Sequence, residues 1–370
     1  MKVAISYKAA QVDTDGHVAG HDAGATLVRR LLRVFPEALL IGPGPRQCEG
    51  FDVIPLEFVD GADTVLIAMD VIDSLGMWRT LRTHCDEPKL MNFMWWNTSQ
   101  YTHPVQRAGL ALSCALFPTF ANSERTASEV REIVSSWTIP PLAEKARIAW
   151  VNLGIRLEHV RPRHEQPVPV VLYPAIYLSE RKQPQVFLDV VERLVKRTPI
   201  KVEARLHESH LISEQAMRLS RREWAWVGPL TASREDYWEA LARTTAFLAT
   251  ATEESYGLEY IEALVAGAVG VFPDYPWARA ILPGGYPFLY RTPAEAEELL
   301  YRAVSDTAGC RRELDVAAGG DFAQWLRARH NDDKFEEAIA DRVTEWFGGG
   351  GFAPIPAQRE PGRPSARATG

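Results

Sequence analysis

The sequence holds no apolar run approaching the roughly 18 residues that a membrane-spanning helix needs, so an integral membrane protein is not expected. Cysteine is scarce, with Cys48, Cys85, Cys114 and Cys310 far apart. There is no Cys-x-x-Cys pair and no Cys/His cluster at zinc spacing, which argues against a disulfide scaffold or a structural metal. Four free thiols in a reducing compartment are expected, with no metal. Positive charge is not in excess either. Lys and Arg total 41 against 48 Asp and Glu, a formal net charge of −7. Bulk electrostatic adhesion to nucleic acid is therefore not expected. The local cluster Arg218, Arg221 and Arg222 reads as a solvated helix face. The chain opens on the strand-like Val3–Tyr7 rather than on a charged segment followed by an apolar stretch. These features place the protein in the cytoplasm.

What is present is an ordinary globular composition, 46% hydrophobic and 24% charged over 370 residues. At roughly 100–200 residues per domain, that length predicts two domains. Short apolar runs alternate with amphipathic stretches, the pattern of an α/β protein with parallel sheets covered by helices. Strands are expected over 3–7, 38–41, 52–54, 64–68, 89–94, 115–121 and 146–152, with helices over 23–34 and after Ser123. The polar, proline-bounded stretch Arg161–Pro167 reads as a linker. Beyond it the pattern restarts: strands over 168–173, 200–206, 224–227, 246–251 and 269–272 alternate with helices over 185–196, 212–222, 235–243 and 258–266. The expected organisation is a first domain over 1–160, a second over 168–330, and a C-terminal helix over 331–347 that can cross back to the first. A Gly/Pro/Arg/Ala-rich tail over 348–370 is expected to be disordered. Ligands of open parallel sheets sit at the carboxyl ends of the strands.

The segment Thr252–Phe272 carries the most information. It follows a strand and opens a helix. Gly257 stands where a backbone amide can approach a ligand closely, and the helix start beyond it offers unpaired N–H groups suited to phosphate oxygens. Glu254 lies at the loop mouth and Glu262 two turns into the helix, able to bracket a sugar nucleotide at the hexose and at the ribose. Eight positions of helix would separate them by about 12 Å, unlike a hydrolase pair flanking one scissile bond at about 5–10 Å.

This segment resembles the donor-site motif of the large retaining GT-B glycosyltransferase family, the family 4 type, which includes sucrose and sucrose-phosphate synthases and many bacterial mannosyl- and glucosyltransferases. Glu254, Gly257, Leu258, Glu262, Ala263, Gly267 and Val271 match that pattern in register. The resemblance implies two Rossmann-like domains facing across a cleft. It gives Glu254 to the donor sugar, Glu262 to the ribose, and the backbone of Ser255, Tyr256, Gly257 and Leu258 to the diphosphate. In the loop Tyr173–Pro184, Lys182 fits the family lysine on the diphosphate. The family arginine about five residues earlier falls near Ile176 or Tyr177; Arg181 or Arg205 is the expected substitute. Gly20, in Gly20-His21-Asp22-Ala23-Gly24, corresponds to a glycine-containing loop that reaches the donor phosphates and the acceptor.

The resemblance implies hexosyl transfer from a UDP- or GDP-linked sugar, used as substrate, to an acceptor hydroxyl, with retention and without metal or cofactor. Glu254 and Lys182 are the expected catalytic residues. Many relatives carry an N-domain histidine after a strand; here that strand ends Trp95-Trp96-Asn97, so Asn97, His103 and His21 are the acceptor-side candidates. The Trp95-Trp96 pair reads as core or as sugar platform. His207, Glu208 and His210 read as surface groups or cleft-bordering ones. The acceptor class stays open among small molecule, lipid and glycan. A transferase acting on a hydroxymethylated DNA base, a non-catalytic nucleotide-sugar-binding protein and a sugar-nucleotide epimerase are the alternatives.

Overall fold

The computed structural model describes residues 1–20, 22–230 and 233–348. His21 lies outside the described residues. So does the expected disordered tail, except Gly348, which caps the last helix.

The first half builds an eight-stranded sheet. Its strands are β1 (Lys2–Ser6), β2 (Leu39–Ile41), β3 (Arg46–Gln47), β4 (Asp52–Ile54), β5 (Thr64–Ala68), β6 (Leu90–Met94), β7 (Thr119–Ala121) and β8 (Ile148–Trp150), in the order β3-β4-β2-β1-β5-β6-β7-β8. All neighbours pair parallel except β3 with β4. Strands β5 and β6 are buried at every residue, as strands covered on both faces must be. Helices α1 (Ala23–Val34), α2 (Ser74–Leu81), α3 (Pro104–Leu116), α4 (Glu124–Trp137) and α5 (Pro140–Ala143) connect them.

The second half builds a six-stranded parallel sheet from β9 (Val170–Tyr173), β10 (Lys201–Leu206), β11 (Ala225–Pro229), β12 (Ala246–Leu248), β13 (Val269–Pro273) and β14 (Leu289–Tyr290), in the order β11-β10-β9-β12-β13-β14. Its helices are α6 (Pro184–Leu194), α7 (Glu214–Ser220), α8 (Arg234–Arg243), α9 (Leu258–Val265), α10 (Pro276–Ile281), α11 (Pro293–Ser305), α12 (Thr307–Ala318), α13 (Phe322–Arg329) and α14 (Asp332–Phe347). Strand order reverses between β1 and β5 in the first sheet and between β9 and β12 in the second. Each reversal opens a crevice at the carboxyl ends of those strands.

Helix α14 packs on the first sheet. The Phe335 ring lies 5.8 Å from Phe93 and 6.3 Å from Phe120, and Asp332 at the helix start is buried 3.1 Å from Arg30 of α1. The two strand-like crossings between the halves touch each other. The Ile155 amide donates to the His330 carbonyl at 2.9 Å, and the Asp332 amide to the Ile155 carbonyl at 3.2 Å. Gly154 is required here, since a Cβ would lie 2.1 Å from the Asn331 carbonyl carbon.

Three expectations need correction. The strand expected at 115–121 is only Thr119–Ala121, because α3 runs to Leu116. Pro104 opens that helix under a His103 cap, and Leu110, Ala111, Cys114 and Ala115 bury one helical stripe. Helices α2, α5 and α10 and strands β3 and β14 have no counterpart among the expected elements. Finally, Glu254 is not helical and Glu262 is only the fifth residue of α9, since Gly257 at φ +90° cannot belong to a right-handed helix. The 12 Å helical rise therefore does not apply to this pair. All four cysteines are unpaired. Arg218 and Arg222 share Glu192 at 2.6 and 2.7 Å on an outer helix face.

Candidate functional site

The reversal between β9 and β12 brings two loops side by side. After β9 the chain reaches a single 3-10 turn, Glu180–Lys182, closed by Gln183 at φ +46° before Pro184 starts α6. After β12 it runs out to Gly257 and into α9. The loops are joined at the Arg181 and Lys182 carbonyls: the Thr250 hydroxyl donates to the Lys182 carbonyl at 2.6 Å, and the Thr252 amide to the Arg181 carbonyl at 2.9 Å. A Cβ at Gly257 would lie 2.6 Å from the Tyr260 ring, so this turn needs glycine for both its torsion and its space. The first amides of α9 have no acceptor within their own helix.

The Lys182 ammonium donates to Glu254 Oε1 and, at 2.7 Å, to Glu259 Oε1. The Tyr260 hydroxyl donates to Glu254 Oε1 at 2.7 Å, and the ammonium sits 5.6 Å from the Tyr260 ring centre. One cation thus faces two carboxylates away from bulk water. Burial and the like charge of Glu259 push the Glu254 carboxyl up to about 7, against the opposing pull of Lys182. Burial pulls the Lys182 ammonium down, but Glu259 and Glu254 outweigh it and hold its pKa above the ordinary lysine value.

Glu262 is buried in α9, and its carboxylate is held by two side chains of α8: the Arg234 guanidinium, and the Tyr237 hydroxyl at 2.7 Å. The Arg234 cation also lies 5.1 Å from the Tyr237 ring and 5.6 Å from Trp238.

The first half reaches this site from above. The Ser99 hydroxyl, after β6, donates to Glu253 at 2.6 Å. Arg125 of α4 donates to the carbonyls of Glu254 at 2.5 Å and Ser255 at 2.9 Å, while also holding Glu129 at 2.8 Å. Tyr256 is buried, and its hydroxyl meets His330 Nδ1 at 2.6 Å, tying the loop to the crossing between the halves. Burial and the neighbouring Arg329 charge push His330 down to about 3, so it is neutral.

The other expected residues are distributed as follows. Arg181 is exposed and makes no ion pair among the described residues. Arg205 does not join Lys182. It pairs with Glu203 on its own strand at 2.5 Å and lies 4.8 Å from the Trp226 ring. Gly20, at φ +94°, gives its carbonyl to Arg29 at 2.8 Å. Asn97 is buried and caps the turn Thr98–Gln100, while His103 is exposed and caps α3. Trp95 is core and donates to the Met69 carbonyl at 3.2 Å, whereas Trp96 is 45% exposed. Tyr7, under the same cleft, is pushed up to about 12 by burial and by Asp22 and Asp70. His207 and His210 each lie 5.4 Å from the Tyr177 ring.

Sequence reasoning missed Glu259, Tyr260, Arg234, Tyr237, Arg125 and Ser99. Glu259 and Tyr260 stood inside the motif, but only the fold shows which of its variable positions face Lys182. Arg125 carried no signal, since its partners, the Glu254 and Ser255 carbonyls, lie in a distant segment.

No family model matches this sequence, and no curated protein does. Solved structures do match in shape. Sucrose-phosphate synthase from Thermosynechococcus elongatus superposes with a TM-score of 0.69 at 11% identity, over 94% of this chain and 100% of that one. Anabaena HepE, solved with UDP and glucose, gives 0.66 at 13% identity over 93% and 100%. A UDP-forming trehalose-phosphate synthase from Burkholderia xenovorans, solved with glucose-6-phosphate, gives 0.63 at 10% over 92% and 99%. At such identities the likeness concerns the fold, and the chain accordingly has the two-sheet architecture of the GT-B glycosyltransferases.

Proposed function

We propose that the protein transfers a hexosyl group from a nucleoside diphosphate sugar, UDP-linked in first preference, to an acceptor hydroxyl. The observation that carries this reading is the meeting of Lys182 and Glu254 beside Gly257 and the open start of α9, at the strand-order reversal of the second sheet. UDP, UDP-glucose and glucose-6-phosphate in the structural relatives support it. Residues 168–330 act as the donor domain, residues 1–160 as the acceptor side, and α14 returns to the first. The protein works in the cytoplasm.

In this reading the diphosphate enters between Lys182 and the amides of Gly257, Leu258 and Glu259. Its negative charge competes with Glu254 and Glu259 for the ammonium and frees Glu254 for the sugar hydroxyls. The bond from the anomeric carbon to the diphosphate breaks with its electron pair on the leaving oxygen. Lys182 and the helix amides stabilise that charge without a metal. The acceptor oxygen bonds to the same face of the anomeric carbon, with retention, and its proton passes to the leaving phosphate. Glu262 receives the ribose hydroxyls in exchange for Tyr237 or Arg234. Arg181, exposed and without an ion pair among the described residues, is the better substitute for the family arginine, since Arg205 is held by Glu203.

A second reading, a nucleotide-sugar-binding protein without turnover, draws on the same tie of Arg205 to Glu203. One experiment separates them. Thermal melting is followed with UDP, GDP, ADP and their glucose, mannose and N-acetylglucosamine conjugates, since a ligand of the folded state raises the midpoint. Release of UDP from the stabilising conjugate is then assayed. A selective shift with turnover, both lost in Lys182→Ala, is expected. A shift without turnover across an acceptor panel favours the second reading, and no shift with any nucleotide overturns both.

A further inference from the structure

A cavity of about 280 Å³ opens between the carboxyl ends of β7 and β8 and the segment after β13. Its wall takes Ser123 and Arg125 from the start of α4, Asn152, Ser255, Arg279 and Arg329. None of Lys182, Glu254, Glu259 or Glu262 lines it. It shares Ser255 and Tyr256 with the loop that carries Glu254 and lies apart from the Lys182 cation that the proposed donor diphosphate would use.

The chemistry of the wall is cationic. Three guanidinium groups stand against one carboxylate, Glu124. Two of the three are compensated, Arg125 by Glu129 at 2.8 Å and Arg279 by Asp274. Arg329 has no ion pair among the described residues. Its Nη2 reaches only the Ala280 carbonyl at 3.3 Å, and its Nε is buried with no hydrogen-bond partner. The half-buried guanidinium also lies 5.6 Å from the Trp325 ring, so its charge stands at the cavity wall with no carboxylate against it among the described residues. The positive end of the fourteen-residue α4 adds to the same field. The volume lies at the lower edge of small-molecule sites, about 300–1,000 Å³, which favours a compact ligand.

We propose that this cavity binds a small molecule carrying a phosphate monoester, of sugar-phosphate size, at a site separate from the donor. The phosphate meets Arg329, with Arg279 in support, and the polar groups of Ser123, Asn152 and Ser255 are there for hydroxyls.

The test is calorimetric titration of the full chain with glucose 6-phosphate, inorganic phosphate and glucuronate. Wild type is compared with Arg329→Gln, Arg279→Gln and Lys182→Ala. A charge-assisted contact predicts about tenfold or greater weakening of glucose 6-phosphate binding in Arg329→Gln. A smaller loss is expected in Arg279→Gln, which lies on an exposed surface and reports if Arg329→Gln fails to fold. Binding is expected to survive in Lys182→Ala and in saturating UDP. Loss in Lys182→Ala or displacement by UDP would put the phosphate at the donor loop and overturn the proposal. So would equal binding in wild type and both arginine variants, no binding of either phosphate probe at about 10 mM, or glucuronate binding as tightly as glucose 6-phosphate. Binding here does not depend on the glycosyltransferase reading, so failure of one leaves the other standing.

Discussion

Glu254→Gln should stabilise the protein above pH 7 while abolishing transfer. The Glu254 carboxyl titrates near 7 in the folded chain, against 4.5 for an ordinary glutamate, because it is buried and shares one ammonium with Glu259. The native state therefore holds a proton that the unfolded state has released. By linkage, the stability this group contributes is fully present below about pH 4.5 and is lost as pH rises through 7. A displacement of some 2.5 units corresponds to roughly 3 kcal/mol. Glutamine mimics the protonated form at every pH and leaves Lys182 paired one-to-one with Glu259. The unfolding free energy of Glu254→Gln minus that of wild type should thus grow by roughly 3 kcal/mol between pH 5 and pH 8. Urea denaturation at four pH values measures it, and taking the difference cancels the titrating groups that do not touch Glu254. A difference that stays flat, or that moves against the variant as pH rises, refutes the assignment of a raised pKa to this carboxyl.

Three further outcomes follow from the same geometry. UDP-glucose should bind more tightly at pH 6 than at pH 8, with net proton uptake, because drawing Lys182 towards the diphosphate leaves Glu254 beside Glu259 without its counter-ion; calorimetry in two buffers of different ionisation enthalpy reads the protons directly. Tyr256→Phe removes the hydrogen bond between the Tyr256 hydroxyl and the buried His330 ring, the only one that ring makes with a side chain among the described residues, and should cost about 1–3 kcal/mol, read as a lower urea midpoint at pH 7. Arg125→Gln releases the carbonyls of Glu254 and Ser255 and should raise the donor KM about tenfold with little change in melting temperature, seen in initial rates at varied donor; an unchanged KM would mean the loop is held by Tyr256 and Ser99 alone.

The alternation of apolar runs with amphipathic stretches was enough to read both parallel sheets, since buried strands such as Thr64–Ala68 and Val269–Pro273 are apolar on both faces. It failed at Pro104–Leu116, where a helix rich in Ala, Gly, Ser and Cys offers little contrast between its faces. It also failed at the short helices Ser74–Leu81 and Pro276–Ile281, which span barely two turns. At the candidate site, Glu254, Gly257 and Lys182 stood out through the resemblance of their segments to the family's donor motif, and the fold brings Lys182 and Glu254 into contact. Arg205 was misleading for a physical reason: at i+2 from Glu203 on the same strand it faces the same side, so the two charges pair before any ligand arrives.

The residues that escaped the sequence reading share one property, which is that each acts on a motif residue from a different element. Arg234 and Tyr237 come from α8 to hold Glu262, Arg125 and Ser99 come from the first sheet to hold the 253–255 loop, and His330 comes from the crossing to hold Tyr256. A spacing pattern records only contacts within one segment, so it can mark Glu254 and Glu262 but not their keepers. The consequence is mechanical. The loop that carries Glu254 is anchored at three points to the first half and to the crossing, while Lys182 and α9 belong to the second sheet. The same loop is bonded to the Lys182 turn through Thr250 and Thr252, so it bridges the two halves.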